Sequence, residues 1–268
     1  MLGVPVLLYA VLCVAARLGY RMFLYPAPGE TGLAAPILPD GARMLEPVAS
    51  DGVRVHALQL SPPDDRAAAR TAVLFHGNGE TIANGIDIAL DLRRRGFGAV
   101  LVEYRGYGAS RGAGRPSEPG IYRDAVAVLD ALSAQGIGAD RIVLLGISLG
   151  TGVAAEMARR GLGASLVLVS PYTSITAMAR RVAPFLPIDW VCPDRFDTLS
   201  KAKDIRTPTL VVHGDADEVI PVAMGRAVAG AIPGAALHVV AGGHHNDLFE
   251  RWQRPVMDAI ARHASRRN

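Results

Sequence analysis

Cysteine is scarce in this sequence: 268 residues contain two, Cys13 and Cys192, far apart and in segments of different kinds. Two such residues supply neither a disulfide framework nor the spacing of a metal site, so no metal is expected. Phosphate-binding signatures are missing too. No G-x-x-x-x-G-K-[ST] loop occurs, and Gly77 and Gly79 fail the dinucleotide pattern because Ile82 stands where its third glycine belongs. No cofactor is expected. Long runs of one charge are also missing. The net charge is +3, and the densest basic run, Arg93-Arg94-Arg95, precedes Gly96, where it suits a helix C-terminus complementing the macrodipole. With no recognition motif in the chain, nucleic acid is not expected as a partner. There is no internal repeat and no low-complexity tract.

Half of the residues are hydrophobic and a fifth are charged, which makes the chain globular with a large core. Its length suits one α/β domain with an appendage. The appendage is N-terminal. Leu2 to Ala16 carry no charge and are mostly apolar, and after Arg17 the apolar character resumes through Leu18, Tyr20, Met22, Phe23, Leu24 and Tyr25. A spanning helix needs about 20 such residues, so residues 1–25 are expected to form a membrane anchor in which Arg17 snorkels. The rival is a cleaved signal peptide, with Val14 and Ala16 as small residues before the cut; the missing positive n-region counts against it. Arg17 and Arg21 follow the apolar run, which by the positive-inside rule leaves the body of the protein in the cytoplasm. Residues 26–42 carry several Pro and Gly without periodicity and are expected to be a linker, leaving residues 43–268 for the folded domain.

Within that domain, apolar runs of strand length alternate with amphipathic stretches of helix length. The runs are Thr71 to Phe75, Ala99 to Tyr104, Arg141 to Gly146, Leu166 to Ser170, Thr209 to His213 and Ala236 to Val240. Such alternation predicts an α/β fold with a mostly parallel central sheet flanked by helices. Two weaker strands, Met44 to Val48 and Val53 to Leu60, flank Ser50-Asp51-Gly52, a hairpin turn that would give an antiparallel start.

Chemistry enters after the run ending at Leu145. Gly146-Ile147-Ser148-Leu149-Gly150 followed by the Ala-rich stretch Thr151 to Arg160 is a G-x-S-x-G elbow in a strand-turn-helix setting. The pentapeptide alone arises by chance in on the order of one chain in ten, so the setting carries the weight. A serine hydroxyl needs a base to take its proton, and the base needs an acid to orient it, in the order Ser, Asp, His. Gly214 to Pro221 brings Asp215, Asp217 and Glu218 to the end of a buried strand; Asp217 is the expected acid, with a turn or helix-cap role as its alternative. Gly242-Gly243-His244-His245-Asn246-Asp247 follows the last strand, and one of the two histidines is expected to face Ser148. His76-Gly77-Asn78-Gly79 follows the first buried run, where the backbone N–H groups of Asn78 and Leu149 would form an oxyanion hole. His76 itself is expected to be structural.

These segments, in this order, resemble the membrane-anchored branch of the α/β-hydrolases that includes protein depalmitoylases and related acyl-ester serine hydrolases. The resemblance is carried by Arg21-Met22-Phe23-Leu24-Tyr25-Pro26, His76-Gly77-Asn78-Gly79, Tyr104-Arg105-Gly106-Tyr107-Gly108, Pro116-Ser117-Glu118, Gly146 to Gly150, Ser170-Pro171-Tyr172-Thr173-Ser174, His213 to Pro221 and His245-Asn246-Asp247. It implies the α/β-hydrolase fold, cleavage of esters or thioesters with lipid-like acyl groups, and His245 rather than His244 as the base; the doubled histidine departs from the family pattern. It also makes Tyr104 to Gly108 a structural loop. Residues of about 171–206, with Pro171, Pro184, Pro187 and Pro193 and the cluster Phe185, Leu186, Ile188 and Trp190, are longer than an ordinary connection and are expected to form a small lid over an apolar pocket. A packed helical crossover without substrate contact is the alternative. A serine peptidase of the same fold, and a silent membrane-tethered binding module, stay open beside the esterase.

Overall fold

The computed structural model describes residues 3–27, 38–63 and 69–266, so most of the expected linker, residues 28–37, lies outside the described residues, as does Leu2 of the apolar run. The elements are α1 (Gly3–Leu24), β1 (Ala42–Leu45), β2 (His56–Leu60), β3 (Thr71–Phe75), α2 (Ile82–Arg94), β4 (Gly98–Glu103), α3 (Glu118–Ala134), β5 (Ile142–Ile147), α4 (Gly150–Arg159), β6 (Ser165–Val169), α5 (Ile175–Val182), α6 (Ile188–Val191), α7 (Thr198–Lys201), β7 (Thr209–Gly214), α8 (Val222–Ala231), β8 (Ala236–Val240) and α9 (Gln253–Ala264). Eight strands form one sheet in the order β1-β2-β4-β3-β5-β6-β7-β8. β2 pairs antiparallel with β1 and with β4, and every other pairing is parallel. The hairpin turn closes through Ala49 N–H on the Val53 carbonyl at 2.8 Å, with Gly52 in the left-handed region at φ +81°. β2 begins at His56 rather than Val53, because the preceding residues make only an isolated bridge, Val48 with Arg54.

Successive residues of each parallel strand enter opposite cores. Val73, Phe75, Val100, Val102 and Leu144 face α3, α4 and α8, while Ala72, Leu74, Ala99, Leu101 and Leu145 face α2 and α9. Both faces are therefore covered, which is why the runs are uninterruptedly apolar. Arg105, after β4, fastens three pieces of backbone together. It bonds Asp124 of α3 at 2.6 Å and Asp51 of the hairpin turn at 2.7 Å, with Asp124 wholly buried.

The excursion between β6 and β7 folds as the short helices α5, α6 and α7. α1 packs on it. Cys13, Ala16, Tyr20 and Leu24 recur at three- and four-residue spacing on one face of α1; Ala16, Tyr20 and Leu24 meet Ile175, Leu186, Val191 and Cys192. The hydroxyls of Tyr20 and Tyr25 both donate to Asp194 Oδ2, at 3.1 and 2.9 Å. The other end of the excursion is tied to α4, where Glu156 takes Arg159 at 2.7 Å, Arg160 at 2.8 Å and Lys201 of α7 at 3.1 Å. Burial opposes the charge of Glu156, but these three cations outweigh it and bring its carboxyl down to about 2, below the ordinary 4.5. A carboxyl depressed on folding stabilises the protein above its ordinary value and loses that contribution as pH falls toward the depressed one. Denaturant unfolding across pH should therefore show Glu156→Gln less stable than the parent at neutral pH, with the gap closing between about pH 5 and pH 2; a gap independent of pH would contradict the assignment.

Candidate active site

β5 stops at Ile147 and α4 begins at Gly150, so Ser148 occupies a two-residue reversal with its own φ at +49°. A β-carbon on Gly146 would lie 2.5 Å from the Gly150 carbonyl oxygen, and one on Gly150 would run into the Phe75 carbonyl of β3. Only glycine fits at either place, and the serine between them is held with its side chain off the end of the sheet.

Facing it, His245 Nε2 lies 3.1 Å from Ser148 Oγ, and His245 Nδ1 lies 2.8 Å from Asp217 Oδ2. With Nδ1–H donating to the carboxylate, the Nε2 lone pair points at the serine hydroxyl. The Asp217 carboxylate is wholly buried. Its Oδ1 accepts the N–H groups of Val219 at 2.9 Å and Ile220 at 2.7 Å, and His213 Nε2 stands 3.4 Å from Oδ2. Burial alone would raise its pKa; the bonds from His213, His245 and Ile220 outweigh it and hold the group well below the usual carboxylate range. The other members of each pair sit elsewhere. His244 reaches out to Glu218 at 3.0 Å on the surface, and Asp215 accepts the Gly242 N–H at 2.6 Å, shaping the histidine loop.

Asn78 and Leu149 flank the serine, and neither backbone N–H has a hydrogen-bond partner among the described residues. Two groups set the Asn78 loop: Glu80, which carried no signal in the sequence, and Tyr104 of the expected structural loop. Glu80 Oε2 accepts the Gly77 N–H at 2.6 Å, and a β-carbon on Gly77 would touch Glu80 and the Ser148 β-carbon at 3.0 and 3.4 Å. The Tyr104 hydroxyl donates to the His76 carbonyl at 3.1 Å, while the His76 ring lies 4.1 Å from that of Tyr104 and its Nε2 is 3.5 Å from Glu103. His76 is thus enclosed in the wall behind the loop.

Two cavities meet at Ser148 and His245. The larger, about 620 Å³, is walled by Met178, Val182 and Leu186 of the excursion, by Ile220, and by Tyr20, Phe23 and Leu24 of α1. The smaller, about 340 Å³, is polar, with Asn78, Glu80, Asn84, Asp87, Asn246 and Glu250 in its lining. The α1 contribution was invisible in the sequence, where residues 1–25 read as a tether; the two tyrosines, Tyr20 and Tyr25, at the end of an apolar run were the available signal. Among the described residues no three His, Cys, Asp or Glu side chains converge as metal ligands would.

Comparison with known proteins agrees with this fold. Residues 66–193 match the family described as serine aminopeptidase, S33. An uncharacterized protein of Mycobacterium tuberculosis is 32% identical over 244 residues, covering 90% of this chain and 85% of its own. The α/β-hydrolase domain-containing protein WAV2 of Arabidopsis thaliana is 33% identical over 190 residues, covering 64% of this chain and 60% of its own. This chain belongs to the α/β-hydrolase superfamily. An esterase of Pyrococcus furiosus, Pf2001, superposes with a TM-score of 0.70 at 18% identity over 88% of this chain and 96% of its own, a likeness of fold. Within this α/β-hydrolase the packing of the elbow gives a direct test. Gly150→Ala should lose about 3 kcal/mol or more in denaturant unfolding, because the added methyl meets backbone that cannot yield; an unchanged midpoint would show that the turn is looser than described.

Proposed function

We propose that this α/β-hydrolase is a serine esterase or thioesterase acting on long-chain, lipid-like acyl substrates through Ser148, His245 and Asp217. The observation that carries the reading is the unbroken hydrogen-bonded line from Asp217 through His245 to Ser148 at the floor of an apolar cavity. Ser148 Oγ attacks the acyl carbonyl while His245 Nε2 takes its proton. The oxyanion is met by the N–H groups of Asn78 and Leu149, each worth about 10²- to 10³-fold. His245 returns the proton to the departing alcohol or thiol, leaving an acyl-Ser148; water, activated by the same imidazole, then releases the acid. Asp217 keeps the ring in the reactive tautomer and stabilises the imidazolium.

The division of space supports the substrate class. At about 620 Å³ the apolar cavity is of small-molecule size and suits an acyl chain, while the polar one on the other flank of Ser148 suits the leaving group. The α1 helix, 21 residues of it long and apolar enough to cross a membrane, supports a membrane-held enzyme. Arg17 and Arg21 support a catalytic domain on the cytoplasmic side. A peptidase is the second reading, favoured by the name of the matched family; the apolar lining beside Ser148 speaks for the ester.

Fluorophosphonate labelling and turnover of acyl esters, acyl thioesters and aminoacyl amides of one chain length test this together. Ser148→Ala should lose all labelling and about 10³-fold or more in turnover, His245→Ala should lose as much turnover, and His244→Ala no more than a few-fold. Labelling that survives Ser148→Ala, or amides cleaved faster than esters, would overturn the proposal.

A further inference from the structure

The packing of α1 conflicts with its standing free as a lone spanning helix. At 1.5 Å per residue, α1 is about 33 Å long, enough for a hydrocarbon core of about 30 Å. Yet its contact with the excursion between β6 and β7 does not end at its foot. Beyond Tyr20 and Tyr25 on Asp194, the buried stripe continues to Cys13, and the Tyr9 hydroxyl donates to the Phe185 carbonyl at 2.7 Å. From Tyr9 to Leu24 the domain therefore runs alongside α1 over about 22 Å. Among the described residues, Val4 to Leu8, about 8 Å of helix, stand clear of it.

The flank that accompanies α1 is dressed for hydrocarbon. Val182, Phe185 and Trp190 of the excursion are 83, 61 and 51% exposed, beside Leu18, Met22 and Phe23 of α1 at 79, 78 and 83%. Scattered apolar residues need no explanation, but a set contiguous with a membrane-length helix does. Phe23 and Val182 have a second property. Both line the 620 Å³ cavity that ends at Ser148, so two of the most exposed apolar side chains among the described residues line it, one from α1 and one from the excursion.

We infer that the tip of the excursion, residues 182–188, is immersed in the bilayer beside α1, with Trp190 and the exposed ion pair of Asp189 with Arg180 at the headgroup boundary, and that the cavity opens between Phe23 and Val182 into the hydrocarbon, admitting acyl chains laterally. This rests on the esterase reading for what happens at Ser148, but not for the immersion itself. Such an opening spares an acyl chain the transfer through water that its methylenes oppose. It also makes α1 a wall of the binding site as well as an attachment. The exposed Arg181, next to Val182, is placed to reach headgroups around the immersed part.

The test uses full-length protein in vesicles of phosphatidylcholine with a fraction of phosphatidylglycerol. Trp252→Phe leaves Trp190 as the single tryptophan. Its emission should be blue-shifted and quenched by lipids brominated along the acyl chain, and shielded from aqueous acrylamide. Quenching by acrylamide but not by brominated chains overturns the inference. Shielding from both quenchers, the mark of a protein partner or a second copy on this surface, overturns it equally. Phe185→Glu, whose side chain lies outside the cavity lining, supplies the functional arm. It should lower hydrolysis of a long-chain ester dissolved in the vesicles by about 10-fold or more and leave a water-soluble short-chain ester unaffected. Equal rates on the vesicle ester would contradict lateral entry. A parent protein that hydrolyses neither ester removes the esterase reading, while the quenching result still decides the immersion.

Discussion

The site depends first on how close the backbone of the β5–α4 turn comes to the backbone of β3. Gly150 packs so tightly on the Phe75 carbonyl that no side chain can intervene, and Gly146 packs on Gly150 itself. That contact fixes where α4 starts, and it forces Ser148 into a left-handed conformation that an ordinary residue avoids. It also brings the loop after β3 beside the nucleophile, since Phe75 ends the strand that carries His76, Gly77 and Asn78. One close approach thereby sets both the Ser148 hydroxyl and the loop of His76 to Asn78 beside it. The strain is borne by the parallel sheet, whose central strands β3 and β5 are paired over their whole length and covered on both faces.

The second constraint is electrostatic. A carboxylate with no exposure to water is costly to keep charged, and Asp217 is kept so by groups that the fold supplies at fixed positions: two backbone N–H groups before α8, the His245 imidazole, and His213, whose Nε2 bonds the Ile220 carbonyl at 2.8 Å and stands 3.4 Å from the carboxylate. His213 belongs to β7, so the strand that carries the acid to the site also supplies one of its stabilising partners. The neighbouring Asp215 and His244 are the same residue types two and one positions away, and they are spent on the backbone of the histidine loop and on a surface pair with Glu218.

Much of this was legible in the sequence for identifiable reasons. Buried parallel strands read as unbroken apolar runs, so Thr71 to Phe75 and Ala236 to Val240 match their observed limits, and the other four runs are displaced by about a residue. The G-x-S-x-G motif is local, because its glycines answer to neighbours within the same turn. What could not be read depends on distant pieces of chain. The bond from Glu80 to the Gly77 N–H is a side-chain choice among several acidic residues, and Tyr104 supports His76 across 28 positions. Phe23 and Leu24 line the cavity because α1 packs on the excursion, and hydropathy reports only that they are apolar. The polar marks of that packing, Tyr20 and Tyr25, find their shared partner Asp194 about 170 positions later.

α1, the excursion and the elbow thus form one device, in which an apolar space ends at Ser148, hydrogen-bonded to His245 and through it to Asp217. Its central claim is that acyl groups pass through a covalent bond to Ser148. The most direct measurement is intact-mass and peptide mass spectrometry of the protein quenched in acid during turnover of a long-chain acyl ester. The account predicts a mass increase equal to one acyl group, located on the peptide that contains Ser148 and absent once substrate is exhausted. Turnover without any acyl adduct, or an adduct on a different residue, would contradict it.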